Sequence, residues 1–264
     1  MAGIPFCVKP LPFTVSTASS EVAGYYGAHT AEFDYIGMIW RTASITASSA
    51  VIQCDLGSAQ GVNFVAMLCT NAQSGSQMKF VMDDTQANIG GGSEQYSSGF
   101  VPIISPSVSG RSSYHSFLDI GSTQTRRYFG VIIASHTGAF ECAKIIVGVK
   151  AQPAKYYETQ WETGIDDMSR VDLSRNGVPL IATGASYRTL DFTLGWMTES
   201  EKETMFDPLD RSLGVRAPAL WMFDPDATTY RQNRTYFGRY ATAPKIGKQG
   251  YNRFEKRVSL LSMI

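Results

Sequence analysis

The chain has 264 residues, 44% hydrophobic and 17% charged, and its 23 basic and 23 acidic side chains leave no net charge. A protein that binds nucleic acid or a membrane surface usually carries a basic excess, so this balance argues against both classes. No apolar run reaches the length of a membrane span, and the N-terminus lacks the charged leader and apolar core of a signal peptide, which predicts a protein made in a cytosol.

The first 150 residues predict an all-β sandwich. Short apolar or alternating runs are separated by Gly, Ser and Pro, and no long amphipathic helix interrupts them. The predicted strands are 51–56, 63–69, 77–82, 116–120, 127–135 and 143–149. The polar segment 88–113 is predicted to be a loop, broken by one short strand at 100–104.

The first of these strands ends in Asp55-Leu56-Gly57. Ile52 and Leu56 alternate with polar residues, so one face of the strand is predicted to lie in the core. Gly57 permits a backbone with positive φ, and the Asp55 carboxylate is suited to accept backbone N–H groups of a turn. We therefore expect the strand to end here and the next strand to return along it.

Two stretches resemble a known family. They are WRTASITASSAVIQCDLGSAQGVNFVAMLCTN (40–71) and TRRYFGVIIASHTGAFECAKIIVGVK (125–150). Their order resembles that of discoidin-like, galactose-binding-like jelly rolls, over about residues 15–150. The resemblance implies a first domain at 1–152 that binds sugars through loops at one end. The side chains it offers for this are Tyr25, Tyr26, His29, Arg41, Tyr96 and Tyr114.

Tyr25 and Tyr26 stand between glycines in GYYGAHT and are predicted to be exposed. They either form a sugar-binding platform, or cover the edge of the sandwich or meet a neighbouring subunit. Trp40 is predicted to be a core residue. Some members of the resembling family hold a structural Ca²⁺ through loop carbonyls and a carboxylate near the last strand, and Glu141 is the residue placed for that role.

A composition change around 150–158 predicts a domain boundary, followed by a second β-sandwich or barrel at 156–264 with one flanking helix near 198–213. The predicted strands are 170–174, 187–196, 219–223, 235–242 and 254–263. Thr198 and Glu201 have the spacing of a capping box, and Gly214 is a natural stop. Pro208 is expected either to kink the helix or to end it at Phe206 or Asp207.

The second part resembles another family through RVDLSRNGVPLIATGASYRTLDFTLGWMTESEKETMFDPLDRSLGVRAPALWMF (170–223) and TYFGRYATAPKI (235–246). This order of elements resembles the minor tail and distal tail (baseplate) proteins of long-tailed bacteriophages and gene transfer agents. The resemblance implies a virion tail component made in the host cytoplasm. Its partners would be further copies in a hexameric or trimeric ring, tail-tube proteins and baseplate hub proteins, with the genome only passing through.

Basic and aromatic residues alternate in YRQNRTYFGRYATAPKIGKQGYNRFEKR, and the strand at 219–223 is apolar on both faces. Arg and Tyr are favoured at protein interfaces, so the sequence predicts subunit contacts here. Contact with DNA in a channel and a plainly solvated face are the alternatives. The predicted interface residues are Trp221, Arg231, Arg234, Tyr236, Arg239 and Tyr240.

We predict no catalytic site, no metal and no cofactor. The sequence contains no Gly-x-Ser-x-Gly, His-Glu-x-x-His or Walker A motif, and His29, His115 and His136 have no ligand spacing. The cysteines, Cys7, Cys54, Cys69 and Cys142, form no Cys-x-x-Cys pair and are predicted to be reduced core residues. The sequence thus favours a structural virion protein, with a carbohydrate-binding module for host-surface glycans as the alternative and a hydrolase as the least favoured function.

Overall fold

The computed structural model describes residues 3–46, 49–104, 111–155, 161–226 and 229–264. It is mostly β with one helical segment in its C-terminal part, which confirms the predicted fold class of a jelly roll followed by a β domain. The chain divides into two compact units. Unit 1 comprises Met1–Ala151 with Met222–Thr235, and unit 2 comprises Gln152–Trp221 with Tyr236–Ile264. Residues 156–158 of the predicted boundary lie outside the described residues.

Unit 1 is built mostly from β-strands, of which β4 and β7 are the longest. Its elements are β1 (Phe6–Val8), β2 (Thr14–Ala18), α1 (His29–Glu32), β3 (Trp40–Ser44), β4 (Ala50–Leu68), β5 (Gln77–Asp83), a 3₁₀ turn (Gln86–Asn88), β6 (Tyr96–Pro102), β7 (Leu118–Ala134), β8 (Ala139–Cys142), β9 (Lys144–Gly148) and β10 (Lys150–Ala151). The main antiparallel sheet has the order β2-β4-β7-β5-β6, with β9 also on β4, and β3 pairs with β8. The strand predicted at 100–104 is β6, which begins four residues earlier.

A large apolar cluster forms the core of unit 1, and Val81, Ile89 and Ile132 form a smaller one. Alternate residues of β4, β5 and β7 point into the large cluster, among them Ile52, Phe80 and Phe129, and Trp40 closes it from β3 as a fully buried core residue. The Trp40 indole N–H donates to Ser20 O at 3.1 Å, so its polar atom is also satisfied. The cysteines are free thiols, as predicted, and all except Cys69 are buried.

The strand at Asp55-Leu56-Gly57 does not end. It continues as β4 to Leu68, and the ladder with β7 shifts register, since Asp55 pairs with Tyr128 and the next pair is Gln60 with Arg126. The sequence expectation of a returning strand is therefore wrong, because the extra residues are absorbed as a bulge. The positive φ and the carboxylate acceptor predicted for this turn are both present. Gly57 has a φ of 78°, and its N–H donates to Asp55 Oδ1 at 2.7 Å.

An ion pair at the bulge links residues 40–71 to residues 125–150, the two stretches on which the first resemblance rests. Arg127 of β7 donates from Nε to Asp55 Oδ1 at 2.9 Å and from Nη2 to Asp55 Oδ2 at 2.8 Å. This two-pronged hydrogen bond lowers the pKa of Asp55, with the Gly57 N–H adding to the effect. The Asp-Leu-Gly segment is thus a structural joint between β4 and β7.

Unit 2 is organised around one antiparallel sheet. Its elements are β11 (Trp161–Asp167), β12 (Arg170–Leu173), β13 (Pro179–Ala182), β14 (Ser186–Met197), α2 (Glu199–Glu201), a π-helical turn (Lys202–Phe206), α3 (Asp207–Leu213), β15 (Ala219–Met222), β16 (Thr235–Tyr240), β17 (Lys245–Gly250) and β18 (Arg253–Ser262). Strands follow the order β15-β16-β18-β14-β11, and β17 also pairs with β18. A separate hairpin is formed by β12 and β13.

The predicted helix begins with its capping box. Glu201 N–H donates to Thr198 Oγ1 at 3.2 Å, and Thr198 N–H donates to Glu201 Oε2 at 2.7 Å. Pro208 neither breaks the helix nor ends it: the backbone passes through the π-helical turn and continues as α3, with Pro208 in the first turn of α3. A proline is tolerated there because N–H groups of a first turn need no helical partner. The helix stops at Gly214, as predicted.

Thr198→Ala should lower the free energy of unfolding by about 1 kcal/mol, because it removes the side-chain acceptor at the open end of the helix. Urea denaturation measures the effect. Thr204→Ala is the matched control, since the Thr204 hydroxyl only donates back to Ser200 O within the same helix. Equal losses from both variants would show that the cap adds nothing.

Candidate functional site

Two neighbouring tyrosines stand out on the surface of unit 1. Tyr25 and Tyr26 are 40% and 48% exposed, in the segment between β2 and α1. The Tyr25 N–H donates to Val22 O at 2.9 Å, which closes a tight turn through Gly24, whose φ is 86°. A positive φ is easily reached only by glycine, so this residue type sets the turn that presents both rings. The prediction that the glycine-flanked pair is exposed is therefore confirmed.

An ion pair lies beside the tyrosines. Arg41 of β3 is the cross-strand partner of Glu141 of β8, and Arg41 Nε lies 3.3 Å from Glu141 Oε1. The Arg41 guanidinium carbon lies 5.9 Å from the centre of the Tyr25 ring, and Arg41 N–H donates to Tyr25 O at 3.1 Å. We call Tyr25, Tyr26, Arg41 and Glu141 the tyrosine surface. It combines two aromatic rings with one donor group and one acceptor group, and its charges cancel.

His29 supports this surface without being part of it. The rings of Tyr26, His29, Phe33 and Tyr35 form a row with successive centroid distances of 5.7, 5.7 and 5.6 Å. His29 is buried in this row, and its Nδ1 donates to Ile39 O at 3.2 Å. The sequence counted His29 among the sugar-binding candidates, whereas the structure places it behind Tyr26 as packing.

Backbone carbonyls at the end of α1 already have a cation. The buried ammonium of Lys144 donates to Ala31 O at 3.0 Å and to Phe33 O at 2.9 Å, and it pairs with Asp34 Oδ1 at 3.2 Å. Glu141, the carboxylate assigned to a structural Ca²⁺ by the resemblance, faces Arg41 instead. A protonated amine and a divalent cation cannot share these oxygens, so the residues present do not fit Ca²⁺.

Tyr96 and Tyr114 belong to other parts of the chain than the residues of the tyrosine surface. Tyr96 of β6 pairs with Met82, and its half-buried ring packs 6.5 Å from Phe80, where burial raises the pKa of its hydroxyl. Tyr114 forms an isolated β-bridge with Thr70. The structure thus places Arg41 beside Tyr25 and packs Tyr96 against Phe80. Tyr114 pairs with Thr70, whose neighbour Asn71 accepts a hydrogen bond from the Glu141 backbone N–H.

Most of the predicted interface residues have internal roles. Trp221, Tyr236 and Tyr240 are buried in unit 2, and the Trp221 ring meets Phe192 and Tyr240 edge-on at 5.6 and 6.2 Å. Within the single chain these three residues have no surface to offer a partner. Arg239 is exposed on β16 and lines an open hollow of about 340 Å³.

The two remaining predicted interface residues belong to unit 1. The Arg231 guanidinium stacks 4.4 Å from the Phe117 ring, and its Nε donates to Pro225 O at 2.7 Å. Arg234 pairs with the buried carboxylate of Asp224. Both arginines therefore make their contacts within unit 1, where they hold the segment Met222–Thr235 in place.

A buried serine–histidine pair also occurs in unit 1. Because His136 Nε2 donates to Ala139 O at 3.2 Å, its Nδ1 accepts the Ser76 hydroxyl at 3.0 Å. Both side chains are buried, at 1% and 2% exposure, and a carbonyl rather than a carboxylate orients the ring. A nucleophile needs access to its substrate and a base that is poised to accept its proton, so this pair is best explained as packing.

Among the residues that the structure describes, no group of His, Cys, Asp and Glu side chains is arranged to hold a metal ion. In the same part of the chain, no helix has the length and apolar character that crossing a membrane requires.

Comparisons with known proteins give overlaps of shape only. No family model matches the sequence, and no curated protein matches it either. Among solved structures, the chain is similar to the family 32 carbohydrate-binding module of C. perfringens NanJ in complex with galactose, at 14% identity and a TM-score of 0.41. That overlap covers 55% of this chain and 98% of the module.

Two further solved structures overlap a similar share of the chain. A fucose-binding module of Streptococcus pneumoniae matches at 17% identity and a TM-score of 0.37, covering 52% of this chain and 89% of the module. Reduced XRCC1 bound to the catalytic domain of DNA polymerase β matches at 12% identity and a TM-score of 0.39, covering 54% and 98%. At these identities and TM-scores, the overlaps carry no conclusion about what this chain binds.

Proposed function

We propose that unit 1 binds carbohydrate at the tyrosine surface. The observation that supports this is the exposed Tyr25 ring beside the Arg41–Glu141 ion pair, with the exposed Tyr26 directly following it in the chain. Tyrosine combines an apolar face with a polar tip, and neighbouring exposed aromatic side chains are typical of a binding surface. A sugar presents the matching chemistry, with apolar C–H faces and a rim of hydroxyl groups.

The charges on this surface favour a neutral sugar. Arg41 donates and Glu141 accepts hydrogen bonds, so together they suit vicinal hydroxyl groups, each of which is both a donor and an acceptor. Hydrogen bonds to charged groups are stronger than those between neutral groups. Because the two charges compensate each other, the surface offers no net attraction to an anionic ligand. Neutral hexoses and deoxyhexoses are therefore the expected class, and galactose and fucose are the first to try.

A glycan array probed with the intact chain tests this proposal. We expect binding to neutral glycans that weakens at least tenfold in Tyr25→Ala/Tyr26→Ala, about 1.4 kcal/mol or more. Tyr251→Ala is the matched control, because Tyr251 is a fully exposed tyrosine that belongs to unit 2. Thermal unfolding should be unchanged in both variants. Absence of any retained glycan, or equal retention by the double variant, would refute the proposal.

A second candidate function is structural: a component of a long-tailed phage tail tip or baseplate that assembles with copies of itself, tail-tube proteins and hub proteins. The hairpin of β12 and β13 favours it. Val171 pairs with Ile181 and Leu173 with Pro179 on one face, and Val171, Leu173 and Ile181 are 61%, 72% and 66% exposed. An isolated hairpin is marginal in water, so an apolar face of this kind favours burial against another molecule.

Negative-stain electron microscopy of the purified intact protein at several concentrations tests the structural candidate. Particles with a central hole and a fixed number of copies would support it and give the symmetry. Single copies at every concentration, also after addition of candidate tail proteins, would remove it and leave carbohydrate binding as the function.

A further inference from the structure

Two strands of the unit 2 sheet, each with one side unpaired in the ladders that the structure describes, carry opposite charge. β11 ends the sheet on one side with Glu162, Asp166 and Asp167, all exposed, and β17 lies on the other side of β18 with exposed Lys245 and Lys248. In the part of the chain that the structure describes, Glu162, Asp166, Lys245 and Lys248 make no ion pair. Open strand edges present unpaired backbone donors and acceptors, so they are natural pairing sites.

Each of the two strands also has one like-charged neighbour across its ladder. Glu162 lies directly across from Asp191 in the β11–β14 ladder, and Lys245 lies directly across from Arg257 in the β17–β18 ladder. Like charges placed opposite each other on neighbouring strands are destabilising. An additional strand of the opposite charge would relieve the repulsion at each edge.

Strand directions allow one edge to pair with the other. The ladders β17–β18, β18–β14 and β14–β11 are all antiparallel, so β17 and β11 run in opposite directions within the chain. A second copy placed head to tail therefore presents its β17 antiparallel to β11 of the first. The extended sheet would keep the antiparallel pattern throughout, with strands of seven and six residues facing each other.

We infer that unit 2 binds a second copy of this chain by pairing the acidic β11 edge of one copy with the basic β17 edge of the next. The inference rests on the self-assembly in the structural candidate above and names the surfaces that would carry it. When the two strands are centred on each other, Gly164 lies opposite Gly247 and Asp166 lies opposite Lys245. The contact uses two different surfaces, so it does not close at two copies but continues into a ring or a filament.

The ladders also fix an offset between copies. Gly164 aligns through Thr189 with Leu261 of β18, whereas Gly247 aligns with Glu255. Successive copies are thus displaced by about six residues along the strands, roughly 20 Å at the rise of a β-strand. The apolar hairpin of β12 and β13 directly follows β11, so it lies at the same edge as the proposed contact.

Charge exchange between the edges tests the inference. We expect the intact wild-type chain to form oligomers larger than dimers in sedimentation velocity, weakened by salt. Glu162→Lys/Asp166→Lys and Lys245→Glu/Lys248→Glu should each be monomeric alone, because each then has two edges of the same sign. Mixing these two variants in equal amounts, or combining all four substitutions in one chain, should restore assembly. Restoration also shows that the variants are folded.

The matched control is Arg216→Glu, an exposed charge outside both edges, which should assemble like the wild type. A wild-type chain that stays monomeric at all concentrations would refute both this inference and self-assembly. Wild-type oligomers that persist unchanged in both edge variants would refute the edge contact while leaving self-assembly intact. Glycan retention should be the same in all these variants, so a failure of carbohydrate binding is a separate result.

Discussion

Asp210→Ala should lower the free energy of unfolding of unit 2 by about 3–5 kcal/mol, because it leaves a buried ammonium without its carboxylate. Lys256 of β18 is fully buried, and its Nζ lies 2.6 Å from Asp210 Oδ1 and 3.1 Å from the Tyr240 hydroxyl. The same ammonium lies 4.8 Å from the centre of the Phe206 ring. This ion pair therefore joins α3 to the sheet inside an aromatic cage.

Urea denaturation followed by tryptophan fluorescence measures the loss. Asp207→Ala is the matched control, since Asp207 on the same helix makes only partly exposed pairs with Lys202 and Arg211 and should cost about 1 kcal/mol or less. The double variant Asp210→Leu/Lys256→Met should recover most of the stability, because it removes both charges together. A loss for Asp210→Ala no larger than for Asp207→Ala would contradict this role.

The second large effect is expected at Lys144. Lys144→Met leaves Ala31 O and Phe33 O without their donor and should destabilise unit 1 by about 3 kcal/mol. The variant should also weaken glycan binding, because the two carbonyls belong to the segment that carries the aromatic row behind Tyr26. Thermal unfolding and glycan retention are the two readouts.

Lys9→Met serves as its control, since Lys9 is exposed, makes no ion pair in the part of the chain that the structure describes, and should have a small effect on both readouts. Because the Lys144 ammonium already binds Ala31 O and Phe33 O, a metal ion is not expected there. Addition of EDTA or Ca²⁺ should therefore not shift the melting temperature of the wild type. A melting temperature that falls in EDTA would contradict the assignment of these oxygens to Lys144.

The features that the sequence predicts correctly depend on residues that are close together along the chain. The capping box of Thr198 and Glu201, the stop at Gly214 and the exposure of Tyr25 and Tyr26 each follow from residues a few positions apart. The sequence does not predict that β4 continues through Asp55-Leu56-Gly57, because a bulge and a chain reversal use the same turn residues. Only the pairing with β7 distinguishes them.

The sequence does not predict which residues far apart along the chain contact each other. Arg41 meets Glu141 through the register of β3 with β8, one hundred positions along the chain, and no local pattern reveals that register. The basic and aromatic stretch that begins at Tyr230 predicts an interface, yet Tyr236 and Tyr240 are buried in unit 2. Composition alone does not tell which face of a strand is covered. The charged edges β11 and β17 were missed because both strands are polar and lack the alternation of a half-buried strand.

The central claim is that the tyrosine surface binds carbohydrate, and a crystal structure of the intact chain with the best glycan from the array tests it most directly. We expect a sugar ring stacked on Tyr25 or Tyr26, with hydroxyl groups within hydrogen-bonding distance of Arg41 and Glu141. A sugar bound elsewhere on the chain, with the tyrosine surface bare at saturating ligand, would contradict the claim.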